Sequence, residues 1–332
     1  MSELEQELDA IASETGFSGV VRVDSGKEVV LAQAYGLAHR GYGIANALDT
    51  RFALASGTKG LTALTVASLV EDGTLALDTT ARSQLGDDLP LVRDDVTVEH
   101  LLAHRSGIGD YFDEELPMDL DDYLLTVPAQ ELATTEQYVA VLDGFPAKFA
   151  PDERFVYCNG GFVVLALIAE RASGTPFHEL VEQRVSEPAG MADTAFLRSD
   201  EPAERMAIGY LSVEGARTNV FHLPVRGSGD GGIYSTAADI RALWTAFLAG
   251  KIVSPDWVRE MVRPRSEGHS RRYGLGFWLD ASSDTVILVG CDTGVSFLSR
   301  HDPSSSSTST VISNTTDGAW PIAELLAERG PA

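Results

Sequence analysis

The stretch ALASGTKG at residues 53–60 places a serine three positions before a lysine, at the start of an apolar run. A serine hydroxyl is a weak nucleophile at its own pKa and needs a neighbouring base to activate it. On a helix, positions i and i+3 share one face, so the amine of Lys59 can reach the hydroxyl of Ser56. Burial would lower the pKa of that amine, and the helix N-terminus would supply N–H groups for an oxyanion. The spacing indicates nucleophilic catalysis; the structural alternative is a helix-capping serine beside a lysine that extends into solvent.

A second candidate pair, Tyr157 and Asn159, flanks Cys158 in the stretch FVYCNGGF. A tyrosine beside a lysine ammonium can act as a general base, and the asparagine can bind a substrate amide or orient the lysine. The structural alternative is a buried aromatic residue followed by a helix-capping asparagine. In an extended segment, the side chain of Cys158 would point to the face opposite that of Tyr157 and Asn159 and pack against neighbouring residues.

These two motifs belong to a longer, ordered set of matches across residues 17–316. The matching stretches include FSGVVRVDSGKEVVLAQAYG, VTVEHLLAHRSGIGDY, GDGGIYSTAADIRALWTAFLAG and YGLGFWL. Together they resemble the serine β-lactamase-related family, which includes class C β-lactamases, DD-peptidases, D-aminopeptidases and β-lactamase-like esterases. The resemblance implies that Ser56 is the acylated nucleophile, Lys59 its activating partner and Tyr157 the base of acylation and deacylation. It also implies that Asn159 binds the substrate amide or orients the lysine.

The sequence departs from the family at the third motif, on the strand that lines the site. The family usually carries Lys-Thr-Gly there, or His-x-Gly followed by a second glycine, whereas this sequence reads VGCDTGVSF. If Gly290 is the anchor, Cys291 takes the basic position; if Thr293 and Gly294 match Thr-Gly, Asp292 takes it. Neither alternative supplies a cation, so the pocket should disfavour the carboxylate of β-lactams and peptide C-termini.

Backbone N–H groups of this strand, near Gly294 or Val295, are expected to complete an oxyanion hole with that of Ser56, because this role needs no side chain. Arg300, further along the chain, is an alternative source of the positive charge that the third motif lacks. The residues predicted to bind substrate are Asn159, Asp292, Thr293, Gly294 and Val295.

The predicted function is hydrolysis of an ester or amide through an acyl-enzyme on Ser56, as in an esterase, a D-aminopeptidase or a DD-peptidase. The alternatives are a β-lactamase and, from another class, a non-catalytic binding module that retains the fold. The expected partner is a small-molecule ester, amide or peptide. No metal or organic cofactor is implied.

Three further patterns have structural interpretations. His100 and His104 stand at i, i+4, a metal-binding spacing, but no glutamate lies between them and a helix end is expected there. Ser106 is predicted to lie in a turn. The Gly-rich stretch 227–232 lacks a P-loop lysine and is expected to allow a close backbone approach near the site.

Periodicity and turn residues predict the elements that position these residues. A helix is expected at 4–12 and a hairpin at 17–36, with Gly26 in its turn. Further helices are predicted from Ser56 to about Glu71, within 96–108, and at 160–174, 235–250 and 320–329. A loop is expected at 110–136. Strands are predicted at 272–280, 285–294, 295–303 and 307–316.

This order of elements predicts an α+β fold of the β-lactamase/transpeptidase type, with an antiparallel sheet flanked by helices and an inserted all-α lobe. Residues 1–52 and 205–332 would form a discontinuous α/β lobe. Residues 53–204 would form a mainly helical lobe, and the active site would lie between the two.

Composition limits the partners of the chain. Its 332 residues include 49 acidic and 25 basic side chains, a net charge of −24, which disfavours nucleic acid and anionic membranes. Only four of the 25 basic residues are lysines, so a salt-loving source is a further hypothesis. The two cysteines imply no disulfide framework. Because no leader pattern or long apolar window occurs, a cytoplasmic protein is expected, of undetermined oligomeric state.

Overall fold

An eight-stranded antiparallel sheet forms the centre of the computed structural model, which describes residues 2–116, 123–267 and 271–329. The strands are β1 (Gly19–Ser25), β2 (Glu28–Tyr35), β3 (Leu37–His39), β4 (Ile44–Ala45), β5 (Phe52–Ala53), β6 (Tyr234–Ser235), β7 (Ser266–Glu267), β8 (Arg271–Tyr273), β9 (Trp278–Asp280), β10 (Val286–Asp292), β11 (Val295–Asp302) and β12 (Ser307–Ser313). In the large sheet they follow the order β2-β1-β12-β11-β10-β9-β8-β7. The pairs β3-β4 and β5-β6 form two small sheets.

Helices cover both faces of the large sheet. They are α1 (Glu3–Thr15), α2 (Thr58–Glu71), α3 (Ala81–Leu85), α4 (Val98–Leu102), α5 (Val139–Leu142), α6 (Asn159–Ser173), α7 (Phe177–Val181), α8 (Glu187–Ala189), α9 (Ala237–Leu248), α10 (Pro255–Met261) and α11 (Ala319–Arg329). Val21 and Val311 join the apolar cluster formed with α1 and α11, whereas their neighbours Val20 and Ile312 join the larger cluster that contains α2, α6 and α9. Because successive strand residues point to opposite faces, the sheet separates two cores.

The strands that come first and last along the chain, β1 and β12, are neighbours in the sheet, as the sequence predicts. β1 and β2 form the expected hairpin, and Gly26 in its turn has a φ of 58°. β1 also pairs with β12, with Val20 opposite Ile312. The two ends of the chain are therefore joined in one sheet, and the residues between them include the long helices α2 and α6.

The helix that carries the candidate lysine is buried on all sides. Every residue of α2 from Thr58 to Leu69 is buried, and Lys59 is only 2% exposed. A single 3-10 turn, Ala55–Gly57, precedes this helix and carries Ser56. The lysine is therefore a core residue, and its ammonium group cannot reach bulk water.

Two predicted elements differ from the observed ones. The helix expected within 96–108 ends at Leu102, because His104 adopts a φ of 54° and cannot continue the helix. The strand expected at 272–280 is interrupted between β8 and β9, where Gly276 has a φ of 85°. The loop expected at 110–136 contains two short 3-10 turns, and its residues 117–122 lie outside the described residues.

The predicted α+β class, with a large antiparallel sheet flanked by helices, is confirmed. The proposed boundaries of the two lobes, 1–52 with 205–332 and 53–204, remain a prediction. Of the helices in the described parts of the chain, none combines the length and apolar character required to cross a membrane.

Gly290 lets strand β10 approach the turn that carries the candidate serine. A Cβ atom at this position would lie 2.1 Å from the carbonyl oxygen of Leu54 and 2.9 Å from the backbone nitrogen of Ser56. Both neighbours are backbone atoms, which cannot move aside as a flexible side chain does. A side chain at position 290 would therefore push the strand away from the turn.

The first prediction is that Gly290→Ala lowers the free energy of unfolding by about 1–3 kcal/mol, a usual cost of overpacking a core. The measurement is equilibrium denaturation in urea. Gly161→Ala is the matched control, since its Cβ would meet side-chain atoms at 3.6 Å, an ordinary contact, inside helix α6. A Gly290→Ala protein as stable as the wild type would contradict the close approach.

Candidate active site

Ser56 is partly exposed and lines a pocket at the C-terminal end of strand β10. Its Oγ accepts a hydrogen bond of 2.9 Å from Nζ of Lys59, the contact that the i, i+3 spacing predicts. The preceding residue, Ala55, has a φ of 45°, a strained conformation for a residue with a side chain. This turn directs the serine out of the buried helix and towards the pocket.

The amine of Lys59 joins three separate segments of the chain. Besides Ser56, it donates hydrogen bonds of 2.8 Å to Oδ1 of Asn159 and of 2.8 Å to the carbonyl oxygen of Asp230. These three acceptors match the three donors of an ammonium group. Burial lowers the pKa of Lys59, while the carboxylates of Asp230 and Glu114 oppose that shift. The amine is thus held in place and brought closer to its neutral form.

Tyr157 lies on the other side of the serine. Its hydroxyl hydrogen-bonds with Ser56, and its ring centroid lies 5.0 Å from Nζ of Lys59. Burial raises the pKa of Tyr157 well above its usual value, and the carboxylate of Glu114 shifts it in the same direction. The phenol is therefore protonated at neutral pH. The predicted role of Tyr157 as the base is untested, and these directions favour Lys59 as the group that accepts a proton.

Asn159 uses its side-chain amide within the site. Its Oδ1 accepts from Lys59, while its Nδ2 donates to the carbonyl oxygen of Phe112 at 3.1 Å and to Oε1 of Glu114 at 3.0 Å. Both donors of the amide are therefore engaged. Of the two roles that the sequence left open, this geometry favours orientation of the lysine over binding of a substrate amide.

Asp110 positions Asn159, and the sequence analysis missed it. Its carboxylate accepts from the backbone N–H groups of Asn159 at 2.6 Å and Gly160 at 2.8 Å, at the start of helix α6. Burial raises the pKa of Asp110 to about 6. An anion at a helix N-terminus satisfies otherwise unpaired donors. No spacing rule links residue 110 to residue 159, so only the fold reveals this contact.

The Gly-rich stretch 227–232 lies against the catalytic candidates, as predicted. A Cβ atom on Gly229 would lie 2.1 Å from the carbonyl oxygen of Phe162. The next residue, Asp230, accepts the hydroxyl hydrogen of Tyr111 on its carboxylate, in addition to the lysine on its carbonyl. The glycines therefore let this segment approach α6 closely and bring a carboxylate to the pocket.

Of the two alternatives for the third motif, the structure favours the one that is anchored on Gly290. Gly290 contacts the Ser56 turn, whereas Thr293 and Gly294 form the two-residue turn between β10 and β11. The N–H of Gly294 donates to Oγ1 of Thr316 at 2.9 Å, so it is not directed at Ser56. The expectation that Gly294 helps to form an oxyanion hole is therefore not met. In the Lys-Thr-Gly motif the lysine stands two residues before the glycine. With Gly290 as the glycine next to the serine turn, that position is occupied by Leu288, which is buried.

Of the remaining residues of this hairpin, some bond within the protein and others line the pockets. The carbonyl oxygen of Thr293 accepts from Nδ2 of Asn219, and its N–H donates to Oδ1 of Asp292. Val295 is 3% exposed and lines a second pocket that adjoins the first. Asp292 lines both pockets. Of the predicted third-motif residues, Asp292 and Val295 therefore face the site.

The pocket beside Ser56 has an acidic wall. Glu114, Asp230 and Asp292 line it, and none of its described lining residues is a lysine or arginine. Arg300 does not supply the missing charge, because it pairs with Asp280 at 3.4 Å and lines a different groove, beside α11. The prediction that the third motif brings no cation to the pocket agrees with this geometry.

The carboxyl of Asp292 titrates far from its usual range. Burial raises its pKa to about 7, and the neighbouring carboxylates of Asp230 and Glu114 add to the shift. The backbone N–H of Thr293 and the ammonium of Lys59 oppose it. The negative charge of the pocket therefore changes around neutral pH.

His222 also lines the pocket beside Ser56, and no pattern in the sequence indicated it. It is 9% exposed, it lines the pocket with Ser56, and its Nδ1 atom is buried without a hydrogen-bond partner among the described residues. A lone histidine in a segment without periodicity gives no signal in the sequence.

The histidine pair in HLLAH has a structural arrangement. Nδ1 of His104 accepts from the backbone N–H of Cys158 at 3.0 Å, and its ring lies 4.3 Å from that of Tyr157. His100 interacts with its own helix cap at Thr97. Within residues 2–116, 123–267 and 271–329, no group of three His, Cys, Asp or Glu side chains is arranged to hold a metal ion.

The chain is similar to known proteins over nearly all of its length. The family model described as Beta-lactamase matches residues 2–324. Esterase EstB of Burkholderia gladioli is 30% identical over 305 residues, which cover 79% of this chain and 74% of EstB. PbpX of Bacillus subtilis (strain 168) is 28% identical over 282 residues, which cover 84% of this chain and 66% of PbpX. The resemblance predicted from the sequence is confirmed.

A solved structure shows the same fold. The crystal structure of a penicillin binding protein from Bacillus halodurans has a TM-score of 0.91 and 33% sequence identity, covering 97% of this chain and 100% of that chain. The chain is shorter than the curated relatives: it spans about two thirds of PbpX and three quarters of EstB.

The second prediction concerns the dependence of stability on pH. The folded-state pKa of Asp292, about 7, exceeds the ordinary value of 3.8, so ionisation of this carboxyl disfavours the folded state. The free energy of unfolding of the wild type, relative to that of Asp292→Asn, should therefore fall as the pH rises from about 4 to about 7 and level off above. Urea denaturation at a series of pH values measures this difference.

Asp87→Asn is the control, because it removes an exposed carboxylate at the surface. Its stability should follow that of the wild type at every pH. The raised pKa of Asp110 is present in all three proteins and cancels in the comparison. A wild-type to Asp292→Asn difference that does not change with pH would contradict the assignment.

Proposed function

The chain belongs to the Beta-lactamase family of serine hydrolases, and on that premise we propose that it hydrolyses an ester or amide bond through an acyl-enzyme on Ser56. The observation that carries the proposal is the hydrogen bond of 2.9 Å between Nζ of Lys59 and Oγ of Ser56. Burial lowers the pKa of Lys59, so its neutral amine can take the hydroxyl proton as the oxygen attacks. The resulting tetrahedral intermediate carries a negative oxygen.

Backbone N–H groups are proposed to bind that oxyanion. Asp292 and Val295 close a two-residue hairpin, so their backbone groups bond to each other. Alternation along the strand then turns the N–H of Cys291 away from β11 and towards the pocket. Cys291 lines the same pocket as Ser56, next to the glycine that contacts the serine turn. We therefore assign the oxyanion hole to the N–H groups of Ser56 and Cys291.

Tyr157 is proposed to deliver the proton to the leaving group. Its protonated hydroxyl bonds to Ser56 and gives its proton to the leaving group, and the ammonium of Lys59, whose Nζ lies 5.0 Å from the centroid of the tyrosine ring, then returns a proton to the phenolate. Deacylation repeats the steps with water. The water loses a proton to Lys59, its oxygen bonds to the acyl carbon, and Oγ of Ser56 leaves with the proton that Lys59 gives back.

The acidic wall supports a preference among substrates. Glu114, Asp230 and Asp292 line the pocket that contains Ser56, so a carboxylate on the substrate would be repelled, while a neutral or ammonium-bearing substrate would be accepted. This pattern favours an esterase or an aminopeptidase over a β-lactamase. The proposed partner is therefore a small neutral or cationic ester, amide or peptide.

The geometry gives little support to a non-catalytic binding module. Side chains of the 110–136 segment, among them Tyr111, Phe112 and Leu125, line the pocket beside Ser56 and leave it open. The serine, lysine and tyrosine also remain in mutual contact.

The third prediction tests the nucleophile. Incubation with a fluorophosphonate should add one phosphonyl group to the wild type, detected by intact-protein mass spectrometry, and none to Ser56→Ala. Lys59→Ala should slow labelling by roughly 10²-fold or more, because the proton acceptor is lost. Ser305→Ala, at an exposed loop serine, is the matched control and should label like the wild type. Labelling of Ser56→Ala at the wild-type rate would refute the proposal.

The fourth prediction tests the charge preference. We expect kcat/KM to be higher for a p-nitrophenyl ester and a D-alanyl amide with a free amine than for a cephalosporin, which carries a carboxylate. Asp292→Asn should lower kcat/KM for the amine-bearing amide by roughly tenfold relative to the neutral ester at pH 8. Asp87→Asn should leave that ratio unchanged. A clear preference for the cephalosporin would show that the carboxylates do not select the substrate.

A further inference from the structure

A second pocket continues from the one beside Ser56 and enters the protein behind the serine turn. Six residues line both pockets: Tyr111, Leu223, Pro224, Asp230, Gly231 and Asp292. The second pocket, including its open mouth, encloses about 660 Å³ of space free of protein atoms. The two pockets therefore adjoin, and Ser56 lines the first while its neighbour Ala55 lines the second.

The deeper walls of the second pocket are mostly apolar. Its lining includes Ala53, Ala55, Leu197 and Val225, together with the tyrosines Tyr138 and Tyr234. The hydroxyl of Tyr138 already donates to the carbonyl oxygen of Arg226 at 2.6 Å. Among the described lining residues no lysine, arginine or histidine occurs, and the two carboxylates, Asp230 and Asp292, are at the shared entrance. The interior suits an uncharged apolar group.

The positions of the proton-transfer groups decide which part of a substrate enters this pocket. The leaving group must stay within reach of the hydroxyl that protonates it, which is Tyr157 in the proposed mechanism. Tyr157 and Lys59 are lining residues of neither pocket, but Ser56 and Asn159, which both bond to Lys59, line the first pocket and not the second. With the carbonyl carbon bonded to Ser56, the leaving group then lies on the side of the first pocket. The acyl group extends the other way.

We propose that the second pocket binds the part of the acyl group that extends beyond the shared entrance, and that this part is an uncharged aliphatic or aromatic chain. We call it the acyl pocket, and the inference rests on the proposed acyl-enzyme at Ser56. Ala53 controls its depth. In the short strand β5, Phe52 is buried in the core, and because adjacent strand residues point to opposite faces, Ala53 presents its methyl group to the pocket.

A series of p-nitrophenyl esters from acetate to octanoate tests the acyl pocket, because only the acyl chain changes. Each methylene that becomes buried should raise kcat/KM about fourfold until the chain fills the pocket. We expect the rise to continue from acetate to at least butyrate. A profile that is flat or falls from acetate onwards, with hydrolysis still dependent on Ser56, would overturn the inference and leave the proposed function standing.

Variants in the pocket wall should move this profile. Ala53→Leu should lower the ratio of kcat/KM for hexanoate over acetate about tenfold or more, because the added atoms occupy the space of two or three methylenes. Leu197→Ala enlarges the pocket and should raise the same ratio for octanoate over butyrate. Ala45→Leu, the same change at an exposed position in β4, should match the wild type in every ratio. Equal profiles for Ala53→Leu and Ala45→Leu would contradict the assignment.

A reversed series tests the direction of binding. Acetate esters of phenols with alkyl tails of increasing length place the apolar chain on the leaving group. These substrates should show no comparable gain, and Ala53→Leu should not change their order. A gain that Ala53→Leu abolishes would show that the leaving group enters the pocket and would refute the inference. Absence of hydrolysis and of phosphonylation at Ser56 would refute the proposed function and this inference together.

Discussion

The structure of the site depends on one buried amine. Nζ of Lys59 lies in the core, and its removal from water is costly unless every donor finds an acceptor. Its three acceptors come from the serine turn, from the start of α6 and from the Gly-rich segment before β6. These segments are far apart in the chain. The need to satisfy one ammonium group therefore brings the nucleophile and its supporting residues to the same place.

The same electrostatic field serves both the chemistry and the choice of substrate. Burial lowers the pKa of Lys59, and the carboxylates of Asp230 and Glu114 shift it in the opposite direction. They also raise the pKa of Asp292, whose carboxyl lines both pockets. Glu114 additionally bonds to Asn159, which orients the lysine. A change in any of these acids is therefore expected to affect the amine and the substrate together.

Much of the fold could be predicted from the sequence, because local patterns specify single elements. The hairpin around Gly26 and the helices α2, α6 and α9 follow from alternation, apolar runs and end residues. The errors arose where one backbone conformation overrides the pattern. The left-handed conformations of His104 and Gly276 ended a helix and divided a strand. Neither could be recognised from residue type and spacing alone.

The sequence by itself determined the pairing of Ser56 with Lys59, since helix geometry brings residues three positions apart onto one face. It also determined the family and the absence of a cation in the third motif. Only the tertiary structure decided that Gly290 meets the serine turn, that Asp110 holds Asn159, and that an apolar pocket lies behind the serine. These contacts join residues tens to hundreds of positions apart. Their distances are set by packing of the two cores around the sheet, and no local periodicity records them.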